Sequence, residues 1–156
     1  MATKKKSTGS KAKAKTKPVT SVTPVNPKDF IAGVANETRR ADAKALLKLF
    51  TKISGWKARM WGPTIVGCGV YHYTYESGRT GTSPVIGFSP RTGSLVVYVF
   101  DFDEKAALLE KLGKHKGGIA QCLYINKLSD VDLKILGKIL EGGIKKAKQV
   151  WPVTAN

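Results

Sequence analysis

The residues best suited to chemistry cluster in two stretches. Between Met60 and Arg91 the chain carries Trp61, Cys68, His72 and Arg91 amid many glycines and prolines; a second run, Gly113-Lys114-His115-Lys116-Gly117-Gly118, is basic and glycine-rich. Trp61, His72, Arg91, Lys114, His115 and Lys116 are the candidate ligand-binding set. An arginine supplies a planar fork for a carboxylate or phosphate. A glycine-rich loop offers free backbone N–H groups to an anion, and aromatic rings offer an apolar wall. The competing reading is that the tryptophan and tyrosines are core and that the cations sit on solvated turns.

Catalysis finds no pattern. There is no G-x-S-x-G nucleophile elbow, no H-E-x-x-H and no phosphate-loop lysine signature. His72 and Glu76 share a strand face but stand roughly 13 Å apart from the rise per residue, too far to hydrogen-bond. No catalytic residue is assigned and no cofactor is expected. Cys68, His72, His115 and Cys122 comprise a two-Cys, two-His set on paper. Only the C-x3-H pair is local, so no metal ligands are assigned. The cysteines read as reduced apolar residues. The lysine-rich start is not followed by the apolar core of a secretory signal, and no run approaches the ~18 apolar residues of a membrane span. The expectation is a cytoplasmic protein without membrane insertion.

Charge is the strongest global signal. The 156 residues carry 27 Lys and Arg against 11 Asp and Glu, a net charge of +16. Seven lysines, Lys4, Lys5, Lys6, Lys11, Lys13, Lys15 and Lys17, lie before position 18 with no acid among them, leaving a surplus of nine for the rest. Residues 1–27 lack periodicity and aromatics, which predicts a disordered basic tail. Such a chain attracts polyanions, DNA or RNA, without base specificity and with strong salt dependence.

The elements that must position these groups follow from spacing. Residues 28–151 predict a single α+β domain. Asp29-Phe30-Ile31 reads as a lead-in turn. Asn36 caps a helix to about Ile53, with Leu46, Leu49, Phe50 and Ile53 on its buried face and Gly55 as its stop. On that helix Arg40, Lys44, Lys48 and Lys52 recur every four residues, forming one basic row; it reads either as a solvated face or as a phosphate-tracking stripe. Trp56–Met60 predicts a first strand. Gly67 and Gly69 around Cys68 predict a bulge or a close backbone approach. Val70–Glu76 alternates, sending Tyr71, Tyr73 and Tyr75 to one face. Strands from Thr82 or Pro84 to Phe88 and from Ser94 to Phe100, joined by a turn at Ser89–Gly93, complete a central meander. Asp103 caps a middle helix ending at Gly113. Gln121–Ile125 is a further strand. Ser129-Asp130-Val131-Asp132 opens a last helix, which Gly142-Gly143 should kink or interrupt. The whole is an antiparallel sheet of about four to five strands packed by N-terminal, middle and C-terminal helices.

Several motifs carry a resemblance: Met60-Trp61-Gly62-Pro63, Ile65-Val66-Gly67, Tyr71-His72-Tyr73, Gly87-Phe88-Ser89-Pro90-Arg91, Leu112-Gly113-Lys114-His115-Lys116 and Cys122-Leu123-Tyr124-Ile125-Asn126-Lys127-Leu128. Together, over residues 28–150, the chain resembles the YdhG-like family of domains of unknown function. The resemblance implies a small α+β fold and, through a frataxin-like branch, iron delivery for iron–sulfur assembly. After Lys116 the family tends to run Thr-Gly-Lys-Ser-Cys, where this chain has Gly117-Gly118-Ile119-Ala120-Gln121-Cys122 and so lacks a basic residue. Iron prefers carboxylates, and a chain this basic disfavours it. Its one local acidic cluster, Asp101, Asp103 and Glu104, is explained in two of its members by helix capping.

Overall fold

The computed structural model describes residues 21–155 as an α+β domain with an antiparallel sheet. In chain order the elements are β1 (Val22–Thr23), α1 (Pro27–Ala32), α2 (Glu37–Ser54), β2 (Ala58–Trp61), β3 (Ile65–Thr74), β4 (Thr80–Pro90), β5 (Leu95–Tyr98), α3 (Lys105–Leu112), β6 (Lys116–Gly117), β7 (Cys122–Ile125), α4 (Leu133–Val150) and β8 (Val153–Thr154). The sheet runs β1-β2-β3-β4-β5-β7-β6, with β8 beside β3 where β2 ends.

Among the described residues the sheet has 8 strands, more than the expected four to five. The surplus lies in two-residue strands, β1, β6 and β8. Pieces that short have no periodicity to read; pairing with a longer neighbour makes them strands. Part of the expected tail is therefore ordered, since Val22 and Thr23 pair with Trp61 and Met60. The expected lead-in turn is α1, opened by Asn26, whose side chain accepts from the Lys28 N–H. The first internal strand begins at Ala58, leaving Trp56 in the connection from α2.

Helix α2 follows its sequence signals closely. The Asn36 side chain accepts from the Arg39 N–H at 2.8 Å, satisfying one of the orphan donors of the first turn. Gly55 ends it in the left-handed conformation, φ 74°. Leu46 and Phe50 are buried, and Phe50 meets Phe88 of β4 edge to face at 5.0 Å. The core lies between one side of the sheet (Val66, Cys68, Ile86, Phe88, Val97, Leu123) and the helices α2, α3 and α4.

Alternation breaks halfway along the long β3–β4 hairpin. Val85 and Ile86, neighbours in sequence, both lie in the core cluster. Opposite them Gly69 takes φ 74°, and pairing resumes in unchanged register at Val70↔Pro84. A Cβ at Gly69 would fall 2.4 Å from the Trp56 ring, so the expected close approach at this glycine is the indole of Trp56. Beyond the break Tyr71 packs against Phe100 and Trp151, on the side of α4.

The helix termini correct two capping assignments. Helix α3 starts at Lys105, with Glu104 at the cap position and no side-chain cap bond, so Asp103 does not cap it. Within α3, Ala106 is exposed and Lys105 is fully buried. In α4 the cap is Asp132, whose carboxylate accepts from Lys134 and Ile135, while Ser129 sits in a preceding 3-10 turn. Gly142-Gly143 does not interrupt α4, which runs unbroken to Val150. These glycines serve packing: a Cβ at Gly142 would stand 2.3 Å from the Phe102 ring, and one at Gly143 would stand 2.2 Å from Val99.

That geometry separates two glycines of one helix. Gly142→Ala should destabilise the fold by about 1–3 kcal/mol through overpacking against Phe102. Gly137→Ala meets only Ile53 at 3.5 Å and should be neutral or stabilise by up to about 1 kcal/mol through helix propensity. Urea unfolding of the two variants checks the contrast.

Lys105 is 0% exposed, and its amine donates to the carbonyls of Val99 (3.1 Å) and Ala120 (2.6 Å). Burial, opposed by the charge of Asp101, lowers its pKa below the ordinary 10.5. A neutral amine has two N–H donors for these two acceptors; the ammonium has a third to satisfy. Lys105→Met should cost roughly 1–3 kcal/mol by leaving the carbonyls without donors. Between the folded and unfolded pKa the unfolded chain holds more protons, so this lysine adds stability as pH rises towards 10.5. Stability measured against pH should lose that rise in the Met variant.

Candidate functional site

The register places the expected ligand set at two ends of the sheet. Trp61, Arg91 and the Lys114–Lys116 run lie at the end where β2 meets β3 and β4 meets β5, and His72 lies towards the other. Among the described residues, Lys114, His115 and Lys116 are brought into one cleft. They line a pocket of about 460 Å³ with Gly93, Ser94, Tyr124 and Asn126. The hairpin turn after β4 forms one wall, and the β6–β7 pair forms the other.

The remaining members serve other purposes. Trp61 is 1% exposed, with its ring against Gly67, and its indole N–H lacks a partner. It is a core residue. The Arg91 guanidinium turns back along the sheet and donates to the Tyr98 hydroxyl at 2.9 Å. His72 Nε2 lies 3.0 Å from Thr154 Oγ1 on β8.

The expected cradle of free amides is largely absent. The Lys114 N–H donates to Asp130 and the Gly118 N–H to Cys122, while Lys116 and Gly117 pair with Tyr124 and Leu123. The loop's N–H groups complete a sheet edge, which sequence alone could not show. What faces the cleft is side-chain chemistry. His115 Nδ1 donates to the Gly113 carbonyl at 2.8 Å, which fixes that nitrogen as the protonated one and leaves Nε2 for a ligand.

The second basic surface is α2. Lys44, Lys48 and Lys52 are exposed, and among the described residues none of the three pairs with a carboxylate. Arg40 leaves the row: half-buried, it donates to the Val34 and Ala35 carbonyls and closes the loop before its own helix. Lys48 also lines an open groove of about 790 Å³ with Lys28, Leu47, Trp56, Lys57 and Ala58. The lysines expected to bind polyanions from the tail, Lys4 to Lys17, lie outside the described residues.

Three residues gain roles that sequence reasoning missed. Arg39 clamps two loops, donating to the Asn126 carbonyl at 2.7 Å and the Thr92 carbonyl at 3.3 Å. Asp42 accepts from the Leu128 N–H at 3.0 Å. Trp56, taken as the start of a strand, is a groove wall. Its only sequence signal was a large aromatic directly after a helix-ending glycine.

Cys68 and Cys122 are both free thiols. Among the described residues no three of His, Cys, Asp and Glu stand close enough to hold a metal ion, and no helix is long and apolar enough to cross a membrane. Burial pushes the Cys68 thiol up to about 11, slightly opposed by a hydrogen bond with Ser54. A thiol reagent at neutral pH should therefore label the native protein at Cys122 alone and at both cysteines in denaturant; mass spectrometry of the labelled peptides decides. Above the ordinary 9.0, the unfolded chain loses this proton while the folded one keeps it, so Cys68 makes stability fall with pH up to about 11.

No family model, no curated protein and no solved structure matches this chain.

Proposed function

We propose that the chain is a non-enzymatic binding domain that associates with polyanions, nucleic acid foremost, through the exposed face of α2 and its lysine-rich leader. The observation that supports this most is the row Lys44, Lys48 and Lys52, exposed at one-turn spacing and, among the described residues, without carboxylate partners. Three ammonium groups along ~12 Å of helix make a compact cationic row of the kind that neutralises backbone phosphates. The surplus of nine positive charges beyond position 17 places the domain in the same field as its leader. Binding of this kind releases counterions and reads no bases.

A second reading draws on the 460 Å³ cleft. Two lysines, a histidine with a free Nε2 and a tyrosine wall suit a small anionic ligand such as a phosphate or carboxylate ester. The YdhG-like resemblance is retained as a proposal of family, and it adds no reaction to either reading.

Fluorescence anisotropy with a labelled DNA duplex over a salt series tests the first reading. The affinity should fall steeply with salt. Replacing Lys44, Lys48 and Lys52 together by Gln should lessen the slope of log K against log salt by up to about 3. No binding at low salt sinks the proposal, and an unchanged slope removes α2 from it. For the second reading, inorganic phosphate or citrate should raise the melting temperature of the parent but not of Lys114→Gln/Lys116→Gln.

A further inference from the structure

A line of aromatic and cationic side chains leaves the α2 groove and ends at the tip of the β3–β4 hairpin. It begins at Trp56, whose ring rests on Gly69 and has the Lys148 ammonium 5.5 Å from its centre. Lys148 is exposed near the end of α4, and Trp151 follows it by three residues, at the helix's C-cap. Trp151 lies 6.4 Å from both Tyr71 and Tyr73, and Tyr73 stacks on Tyr75 at 4.9 Å and 27°. Tyr75 is 52% exposed. Across the tip, its N–H donates to the carbonyl of the exposed Arg79.

The core accounts for only part of this line. Tyr71 and Phe100 pack against the core cluster, whereas Tyr73 and Tyr75 carry the stack beyond it to a largely exposed ring. Gly81, opposite Tyr73, is kept free of a side chain where that ring lies. At the other end Lys48 belongs both to the α2 row and to the groove walled by Trp56. Cations therefore stand at the start, the middle and the end: Lys48, Lys148 and Arg79.

The chemistry discriminates between polyanions. A duplex hides its base faces, so aromatic rings gain nothing from it beyond what the lysines gain. An unpaired strand presents a π-face beside each phosphate, and base–aromatic stacking is tolerant of sequence. We infer that this line binds single-stranded nucleic acid, with bases stacking on Tyr75, Tyr73 and Trp151 and phosphates meeting Lys48, Lys148 and Arg79. The inference rests on the polyanion-binding reading and narrows it to unpaired strands. A base on Trp56 displaces the flexible Lys148 tip, which then meets the adjoining phosphate.

The test uses the full chain with four probes at one salt concentration: an oligothymidylate of about 20 nucleotides, a duplex of equal length, heparin, and anionic phospholipid vesicles. Charge alone favours the duplex, whose charges are the denser. The expected result is the reverse, with the single strand binding at least about tenfold more tightly. Tyr75→Ala removes a half-exposed ring with one aromatic neighbour, Tyr73, and should lower the urea midpoint only slightly. It should weaken oligothymidylate binding about fivefold or more, with heparin binding unaltered. Equal or weaker binding of the single strand relative to the duplex, or no effect of Tyr75→Ala on it, overturns the inference and leaves the polyanion reading standing. Tighter binding to anionic phospholipid vesicles than to oligothymidylate also overturns it and makes the line a membrane-facing edge. Failure to bind any of these probes at low salt overturns both readings together.

Discussion

The close seating of α4 on the segment after β5 is the constraint on which the rest depends. Gly142 and Gly143 remove two side chains where Phe102 and Val99 would otherwise collide with the helix. The helix runs unbroken from Leu133 to Val150, burying Leu136, Ile139, Leu140 and Ile144. Its far end then delivers Lys148 to Trp56 and Trp151 to the tyrosines of β3. Just beyond, Pro152 accepts from the His72 N–H, and Val153–Thr154 pairs with Val70–Tyr71. One packing choice thus sets the core, the last strand and the aromatic line together.

A second constraint is electrostatic. The core is assembled almost wholly from apolar side chains and holds one lysine, Lys105, whose amine donates to two carbonyls. Loops are clamped by arginine-to-carbonyl bonds from Arg39 and Arg40. Cations used this way spend their donors on the backbone and leave carboxylates out of the arrangement. With only 11 acidic residues against 27 Lys and Arg, the chain as a whole carries a large positive surplus. Such a surplus costs self-repulsion in the compact state and attracts anions.

Much of the fold was legible because its long elements carry strong local signals. The Asn36 cap, the i, i+3, i+4, i+7 face of α2 and the stop at Gly55 are short-range features, and short-range features survive in sequence. The β3–β4–β5 meander was legible for the same reason. The ligand set was legible only in part. Lys114, His115 and Lys116 are adjacent in sequence and share a cleft, whereas Trp61, Arg91 and His72 needed a register that composition does not contain. Gly142-Gly143 illustrates the limit: propensity says a break, and the packing of Phe102 overrides it.

What the amino-acid order determined by itself was the periodic elements, the cap and stop of α2, the tyrosine face and the sign and surplus of the charge. Each depends on neighbours within a few residues, or on a sum in which position has no part. Only the tertiary structure decided which lysine is buried, which strands of two residues exist, and that Trp56, Trp151 and Tyr75 fall along one line. Those outcomes depend on contacts between residues tens of positions apart, where a glycine's missing side chain or a break in alternation at Gly69 redirects everything after it.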